Sequence, residues 1–453
     1  MTLSDGSVTR PTEARALVGG LGLVSLLGYT VGLSLLAAGS LRTHVAYIVL
    51  FSALFLVYLT ATRFLLRWGP DDRILLGLVL AFGLLFRVAV LASPVLLSSD
   101  LYRYLWDGRV QWAGISPYRY PPAADELAPL RDEAVYPNIN RPTKVTVYPP
   151  GAQAVFALMA RVAPNSIVAW RVFLLASEIA TVALLLALLR RTRSSPAAVI
   201  VYAWSPLVIF EGVQAGHVDL VVIPLVLAAL AWRGGGSSMR AGIALGGAVL
   251  LKLYPLVLLP AWWRSRDWRF PAAVAATVAL GYLPHAATVR LGAAGFLPEY
   301  LGSAEDHNIG LRALLTYPLG LTGELPRAVA MGVLFALMAG VVVWIGRANG
   351  GNAAGMTRAG ALAVGAYLLL VPTSMHPWYV IWIVPFLCFS PWPAWLYFSG
   401  AVSLSYLSYV VEPAPIPWWA WLAEYGALFA LLFLSGWRTI AHRVPTALAP
   451  RTL

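Results

Sequence analysis

The chain has 453 residues, 59% of them hydrophobic and 11% charged, with a mean hydropathy of +0.74. Soluble domains carry roughly twice that share of charge, so an ordinary soluble fold is excluded and the bilayer is the expected solvent. The formal charge of +12 lies in short basic clusters without an aromatic-basic stripe, which argues against nucleic acid as a partner, and the single Cys388 excludes an internal disulfide or a cysteine metal site.

A run of about 20 apolar residues crosses the hydrocarbon core as a helix. In chain order, such runs predict spans near 16–38, 44–66, 74–97, 166–189, 196–214, 218–232, 270–287, 326–346, 359–374, 377–391, 393–411 and 416–436. The segment 149–163 opens on Tyr148-Pro149-Pro150-Gly151 and suits a re-entrant or interfacial helix. The segment 240–263 is interrupted by Lys252 and Pro255 and reads as one span or two half-helices. The expected fold is an all-α polytopic transmembrane protein of about 12 to 13 spans, with short outer-face helices in the loop after the third span. It is read as one integrated membrane domain over 1–453: N-terminal spans at 1–97, an outer loop at 98–147, core spans carrying the site at 148–390 and C-terminal spans at 391–453.

Basic residues concentrate in cytoplasmic loops, which fixes an expected orientation. With the N-terminus inside, Arg10/Arg15, Arg63/Arg67/Arg73, Arg190/Arg191/Arg193, Arg233/Arg240, Arg264/Arg266/Arg269, Arg347/Arg358 and Arg438/Arg443/Arg451 fall on the inner side. These 18 basic residues face five acidic ones, and the remainder of the chain's 32 and 20 is close to neutral. The other polar groups then gather outside: Asp100 to Thr146, Glu211 to Asp219, Glu299 to Arg312, His376 and Glu412. Group transfer on that side needs a lipid-carried or exported donor, and the sequence has no nucleotide-binding signature that contradicts this.

In the loop after the third span, the spacing lines up Asp100, Arg103, Tyr104 and Asp107 on one face of a short helix that Ser98 or Ser99 can cap. A carboxylate there can take a proton from an acceptor hydroxyl, and nearby arginines can hold phosphate. The structural alternative makes Asp100 itself the helix cap, favoured by the dipole. In the turn Glu211 to Asp219, His217 and Asp219 can orient a phosphate or meet a metal, but two residues without a third ligand are poor for zinc, and a water-facing hairpin tip fits equally. Lys252 stands in an apolar run, where an ionisable group marks a site unless it snorkels to the headgroups. His307, Asn308 and Arg312 fall within about two helical turns and can hold an anionic head group, unless Asp306 or Asn308 simply caps that helix. At His376-Pro377-Trp378-Tyr379 the aromatics suit an interfacial belt, and a surface histidine is the plain reading of His376.

The pattern Asp100-x-Tyr102-x-Tyr104-x-x-x-Gly108-Arg109, followed by Gly114-x-x-Pro117-Tyr118, resembles the first outer loop of the GT-C superfamily of polyprenol-phosphate-sugar-dependent glycosyltransferases. It is most similar to family 87 and the bacterial alpha-mannosyltransferases. Further likenesses, in the expected order, are Tyr148-Pro149-Pro150, Gly216-His217-x-Asp219, Lys252-Leu253-Tyr254-Pro255, His307-Asn308 before Leu311, and His376-Pro377-Trp378-Tyr379. The resemblance implies that Asp100 is the general base of an inverting transfer of a hexose, with mannose the family-based expectation. The donor would be a polyprenol-phosphate sugar, the acceptor a lipid or glycan, and the place the outer face of a bacterial inner membrane. Lys252, Arg312, Arg109 and His217 are the expected donor-phosphate ligands. Arg103, Tyr104, Asp107, Tyr118, Asp219, Tyr254, His307, Asn308, His376 and Tyr379 are the expected substrate contacts. No cofactor is expected, and a divalent metal is not favoured. One departure stands out: two spans precede the one leading into Asp100, where many superfamily members have none.

Two other classes compete. A transporter or flippase of a sugar or lipid-linked sugar would use the same outer residues as a gated binding site, but the inner loops are poor in acids and histidines and no inverted repeat is visible. A membrane O-acyltransferase would need its histidine inside the bilayer, whereas His217 and His376 fall near the outer edge.

Overall fold

The computed structural model describes residues 10–38, 43–302, 307–316, 324–348, 351–410 and 416–441, and every regular element among them is a helix. Glu305, Asp306 and Glu412 lie outside the described residues. Eight helices are long and apolar enough to cross a membrane: Pro11–Ala37, His44–Trp68, Arg73–Val90, Ile167–Arg191, Arg269–Glu299, Ala328–Ala348, Ala353–Leu370 and Trp418–Ser435. Their outward faces carry exposed apolar side chains such as Leu23, Leu56, Leu280 and Phe433, the arrangement of a multi-pass membrane protein.

The other expected spans take shorter forms. The run near 196–214 becomes the pair Pro196–Ala203 and Val208–Gln214, bent by 62° around Ser205-Pro206. The run near 218–232 is the 16-residue helix Asp219–Gly234. The runs near 377–391 and 393–411 break into short helical pieces because Pro377, Pro385, Pro391 and Pro393 each remove a backbone donor. Among the described residues, length and composition thus allow eight crossings, or nine with the bent pair, below the expected number.

Local sequence explains where the long helices start. Asp72 Oδ1 accepts from the N–H groups of Ile74 and Leu75 at 2.7 and 3.3 Å, Ser166 Oγ from Ala169 at 3.2 Å, and Asn352 Oδ1 from Gly355 at 2.7 Å. Pro150 occupies the first turn of Pro150–Val162, a 13-residue helix roughly 20 Å long that stops short of crossing. Against it lies the Asp100–Trp112 helix. Gly108 permits that contact, since a Cβ there would collide with the Phe156 carbonyl and Ala160.

The ambiguous segment at 240–263 resolves as two half-helices. Ser238–Leu251 runs inward beside Asp219–Gly234 and breaks at Lys252, which is extended at φ −148° and ψ 146°. The chain then returns through a tight turn at Tyr254–Val257 and the short helix Leu258–Trp262. Its two ends are tied together: Arg233 pairs with Asp267, Ser238 Oγ donates to Asp267 at 2.6 Å, and Arg233 Nε donates to the Trp262 carbonyl at 3.0 Å. The hairpin therefore leaves and re-enters the same face, with Lys252 at its tip.

A buried ion pair joins three further elements. Arg87 donates to Glu178 Oε2 at 2.8 and 2.6 Å and to the Gly83 and Ala203 carbonyls at 2.9 and 2.7 Å, while Tyr202 donates to the other Glu178 oxygen. Removing one partner of such a pair strands a charge among apolar atoms. Arg87→Met is expected to cost about 3–5 kcal/mol, and the double change Arg87→Met with Glu178→Met much less; thermal unfolding in detergent checks both.

Candidate active site

Asp100 is the first residue of its helix, but it does not cap it. The N-cap position belongs to Ser99, whose carbonyl accepts from Tyr102 at 3.0 Å, and Ser98 Oγ accepts from the Asp100 N–H at 3.4 Å. The carboxylate faces away from the helix and is held from the 140–148 stretch. Asn140 Nδ2 donates to Oδ1 at 2.5 Å, and the Tyr148 hydroxyl donates to Oδ2 at 3.2 Å. Burial pushes the Asp100 carboxyl up, but His217, Lys252 and Asn140 outweigh it and hold it below the usual carboxylate range.

His217 sits 3.9 Å from Asp100 Oδ2. Gly216, at φ +83°, makes the turn that presents it, a conformation open to glycine. The imidazole is fully buried, with Nε2 2.9 Å from Ser98 Oγ and Nδ1 2.5 Å from the Glu211 carbonyl. Trp378 stacks on it at 4.2 Å, His376 on Trp378 at 4.4 Å, and His307 on His376 at 5.4 Å. Burial, then His307, lower the His376 ring to about 3, so His376 is a neutral aromatic surface at ordinary pH.

Across from it, Asp219 opens the helix that follows the turn. Trp382 Nε1 donates to Asp219 Oδ1 at 2.6 Å, and Lys252 Nζ lies 3.4 Å from Oδ2. Lys252 also stands over the rings of Tyr148 and Tyr379 at 5.5 and 5.6 Å. Tyr254, Trp382 and Tyr379 form a second stack at 4.0 and 4.7 Å. Within the Asp100–His217–Asp219–Lys252 group, His217 and Asp219 are closed off, whereas the Asp100 and Lys252 side chains keep 14% and 16% exposure. Tyr148 stands between them, bonded to the carboxylate and facing the ammonium with its ring.

The structure thus gathers Asp100, His217, Asp219, Lys252, Tyr254, His307, His376 and Tyr379. Tyr104 and Tyr118 back this cluster: the buried Tyr104 meets Tyr148 edge-on at 5.0 Å, and the Tyr118 hydroxyl donates to the Tyr148 carbonyl at 2.8 Å. Others are engaged elsewhere. Arg103 pairs with Asp107 at 2.7 Å and donates to the Lys144 carbonyl at 3.0 Å, and Gln153 donates to Asp107 at 2.9 Å. Arg109 is turned toward the Leu130 carbonyl, Asp132 and Asn165. Asn308, at φ +48°, has its carbonyl bonded by Tyr425 at 2.7 Å, and Arg312 is buried in the short helix Leu311–Thr316 that follows.

Sequence reasoning missed Asn140 and Trp382, and took Tyr148 only as part of a proline motif. Nothing in Asn140-Arg141-Pro142 separates that amide from an ordinary loop asparagine. Trp382 lies inside the apolar run 377–391, which reads as a span and gives that ring no signal of its own. Among the described residues, no three His, Cys, Asp or Glu side chains are grouped to hold a metal ion.

Residues 146–373 match the model of a known family, described as Glycosyltransferase family 87. No curated protein and no solved structure matches the chain.

Arg109 and Asp132 brace the segment that carries Asn140. Partial burial raises the Asp132 carboxyl, but Arg109 and the N–H groups of Val135 and Tyr136 prevail and set it at about 2, below the ordinary 3.8. Because the folded value is depressed, this brace contributes in full above the ordinary value and fades as pH falls through about 2. Arg109→Gln is expected to speed amide hydrogen exchange across 125–140 while leaving the Arg73–Val90 helix protected, as exchange mass spectrometry at neutral pH would record.

Proposed function

Because this chain belongs to glycosyltransferase family 87, we propose that it moves a hexose, with mannose the leading candidate, from a polyprenol-phosphate carrier to a lipid or glycan acceptor, using Asp100 as general base. Membership in a glycosyltransferase family sets aside the transporter and acyltransferase readings. The observation that supports Asp100 most directly is the pairing, through contacts to the same Tyr148, of a partly open carboxylate with a partly open ammonium, Lys252.

The chemistry follows from that pairing. The acceptor O–H bond breaks and its proton passes to Asp100. The freed oxygen attacks the anomeric carbon from the face opposite the phosphate, and a new C–O bond forms. The old bond from that carbon to the phosphate oxygen breaks with its electron pair, so configuration inverts. A phosphate leaves without protonation and needs only positive charge nearby. Lys252 supplies that charge, and its ion pair with Asp219 fixes where the ammonium points. Asn140 and Tyr148 orient the base, and His217, Lys252 and Asn140 keep it ionised, as a proton acceptor must be. The aromatic walls, Tyr254–Trp382–Tyr379 and Trp378–His376, offer flat apolar surfaces to a pyranose ring.

On this reading the reaction takes place at the extracytoplasmic face of a bacterial inner membrane, where a lipid-linked sugar replaces nucleotide sugars. The base and the cation are both part of the protein, so a divalent metal has no required role.

Two measurements test the assignment. Asp100→Asn, purified as a folded protein, is expected to lose transfer from a polyprenol-phosphate sugar by about 100-fold or more, the usual worth of a positioned base; wild-type rates would overturn the role. Asn140→Ala removes a donor that favours the Asp100 carboxylate, so the proton affinity of the base rises. The acid limb of kcat/KM is then expected to move to higher pH, with activity at alkaline pH largely kept.

A further inference from the structure

The tie that closes the Lys252 hairpin also shapes a depression at the end of the fold remote from Asp100. Asp219–Gly234 runs from the cluster to this end and Ser238–Leu251 runs back, roughly 20 Å each way. The depression has a volume of about 960 Å³; one wall is Gly236 to Arg240 and the other is Ser265 to Arg269.

Its charge is one-sided. Asp267, the acid in the lining, is already satisfied by Arg233 and Ser238. Arg240, Arg266 and Arg269 are exposed and have no side-chain partner among the described residues. Two helices start in the same place, Ser238–Leu251 and Arg269–Val289, so the positive ends of two helix dipoles converge on the depression. The rim is apolar: Trp268 is 65% and Met239 60% exposed, and Trp263 packs edge-on against Trp268 at 4.7 Å. Exposed tryptophan beside arginine is the composition of a membrane-water boundary.

We propose that this depression binds the phosphate head group of an anionic phospholipid from the leaflet remote from Asp100. Three guanidinium groups, the hydroxyls of Ser237 and Ser265 and the two helix N-termini complement a phosphodiester. Trp268 and Met239 lie where the glycerol and upper acyl chain would run. A volume near 960 Å³ is large for a free inorganic anion and suits a head group with its backbone. The ligand would bridge both ends of the hairpin whose tip carries Lys252.

The test uses the full chain in nanodiscs of phosphatidylcholine containing a minor share of phosphatidylglycerol, with retained lipid read by native mass spectrometry after release. Wild type is expected to retain phosphatidylglycerol over phosphatidylcholine by about tenfold or more. The triple variant Arg240→Gln, Arg266→Gln and Arg269→Gln is expected to lose that preference. A control triple at another basic cluster, Arg63→Gln, Arg67→Gln and Arg73→Gln, should keep it. Should the first triple fold poorly, Arg266→Gln alone, at an exposed position, should still lower retention. Equal retention in the variants, equal loss in the control, or full displacement by millimolar inorganic phosphate would overturn the proposal, the last by pointing to a free-anion site.

Discussion

A charge inside an apolar helical bundle persists only when a second element delivers its counter-charge. The candidate site rests on one such meeting, Lys252 with Asp219. The lysine arrives on a hairpin that turns back within the fold and the aspartate on the first residue of the neighbouring helix. Break either arrival and the other is stranded, at a cost of several kcal/mol in a medium without water. The broken helix is therefore no defect of the span. It is the means by which an ammonium reaches the level of Asp100.

The Asp100 side obeys the same logic with neutral partners. Asp100 is held by an amide and a phenol that arrive from 40 and 48 residues further along the chain. Those donors are themselves braced, Tyr148 by Tyr104 and Tyr118, and the stretch before Asn140 by Arg109 and Asp132. Arg103 and Asp107 lock the helix beneath. Much of the conspicuous charge of the 98–147 segment thus works as scaffold, which leaves Asp100 as the carboxylate of that segment within reach of the Lys252 charge.

How far the sequence could be read follows from what each signal depends on. Long apolar runs report the bilayer directly, and all eight long helices lie where such runs predict them. Prolines inside apolar runs were harder, because a run such as 377–391 has the hydropathy of a span and the backbone of a set of short turns. At the site, Asp100, His217 and Lys252 were legible because ionisable groups are rare and costly in such surroundings. Arg109 and Arg103 drew the same attention, yet an arginine's sequence position says nothing of whether its fork meets a carboxylate of its own chain. Asn140 and Trp382 left no trace, since hydrogen bonds across 40 and 163 residues have no local pattern.

The hairpin also alters the parity of the chain. A segment of 24 residues at 240–263 would ordinarily be scored as one crossing, which would place everything after it on the wrong side. Because Arg233, Ser238 and Asp267 meet, the excursion adds zero. The helix Arg269–Val289 therefore departs from the same surface as Ser238–Leu251 and runs alongside it, and each later loop inherits its side from that even count.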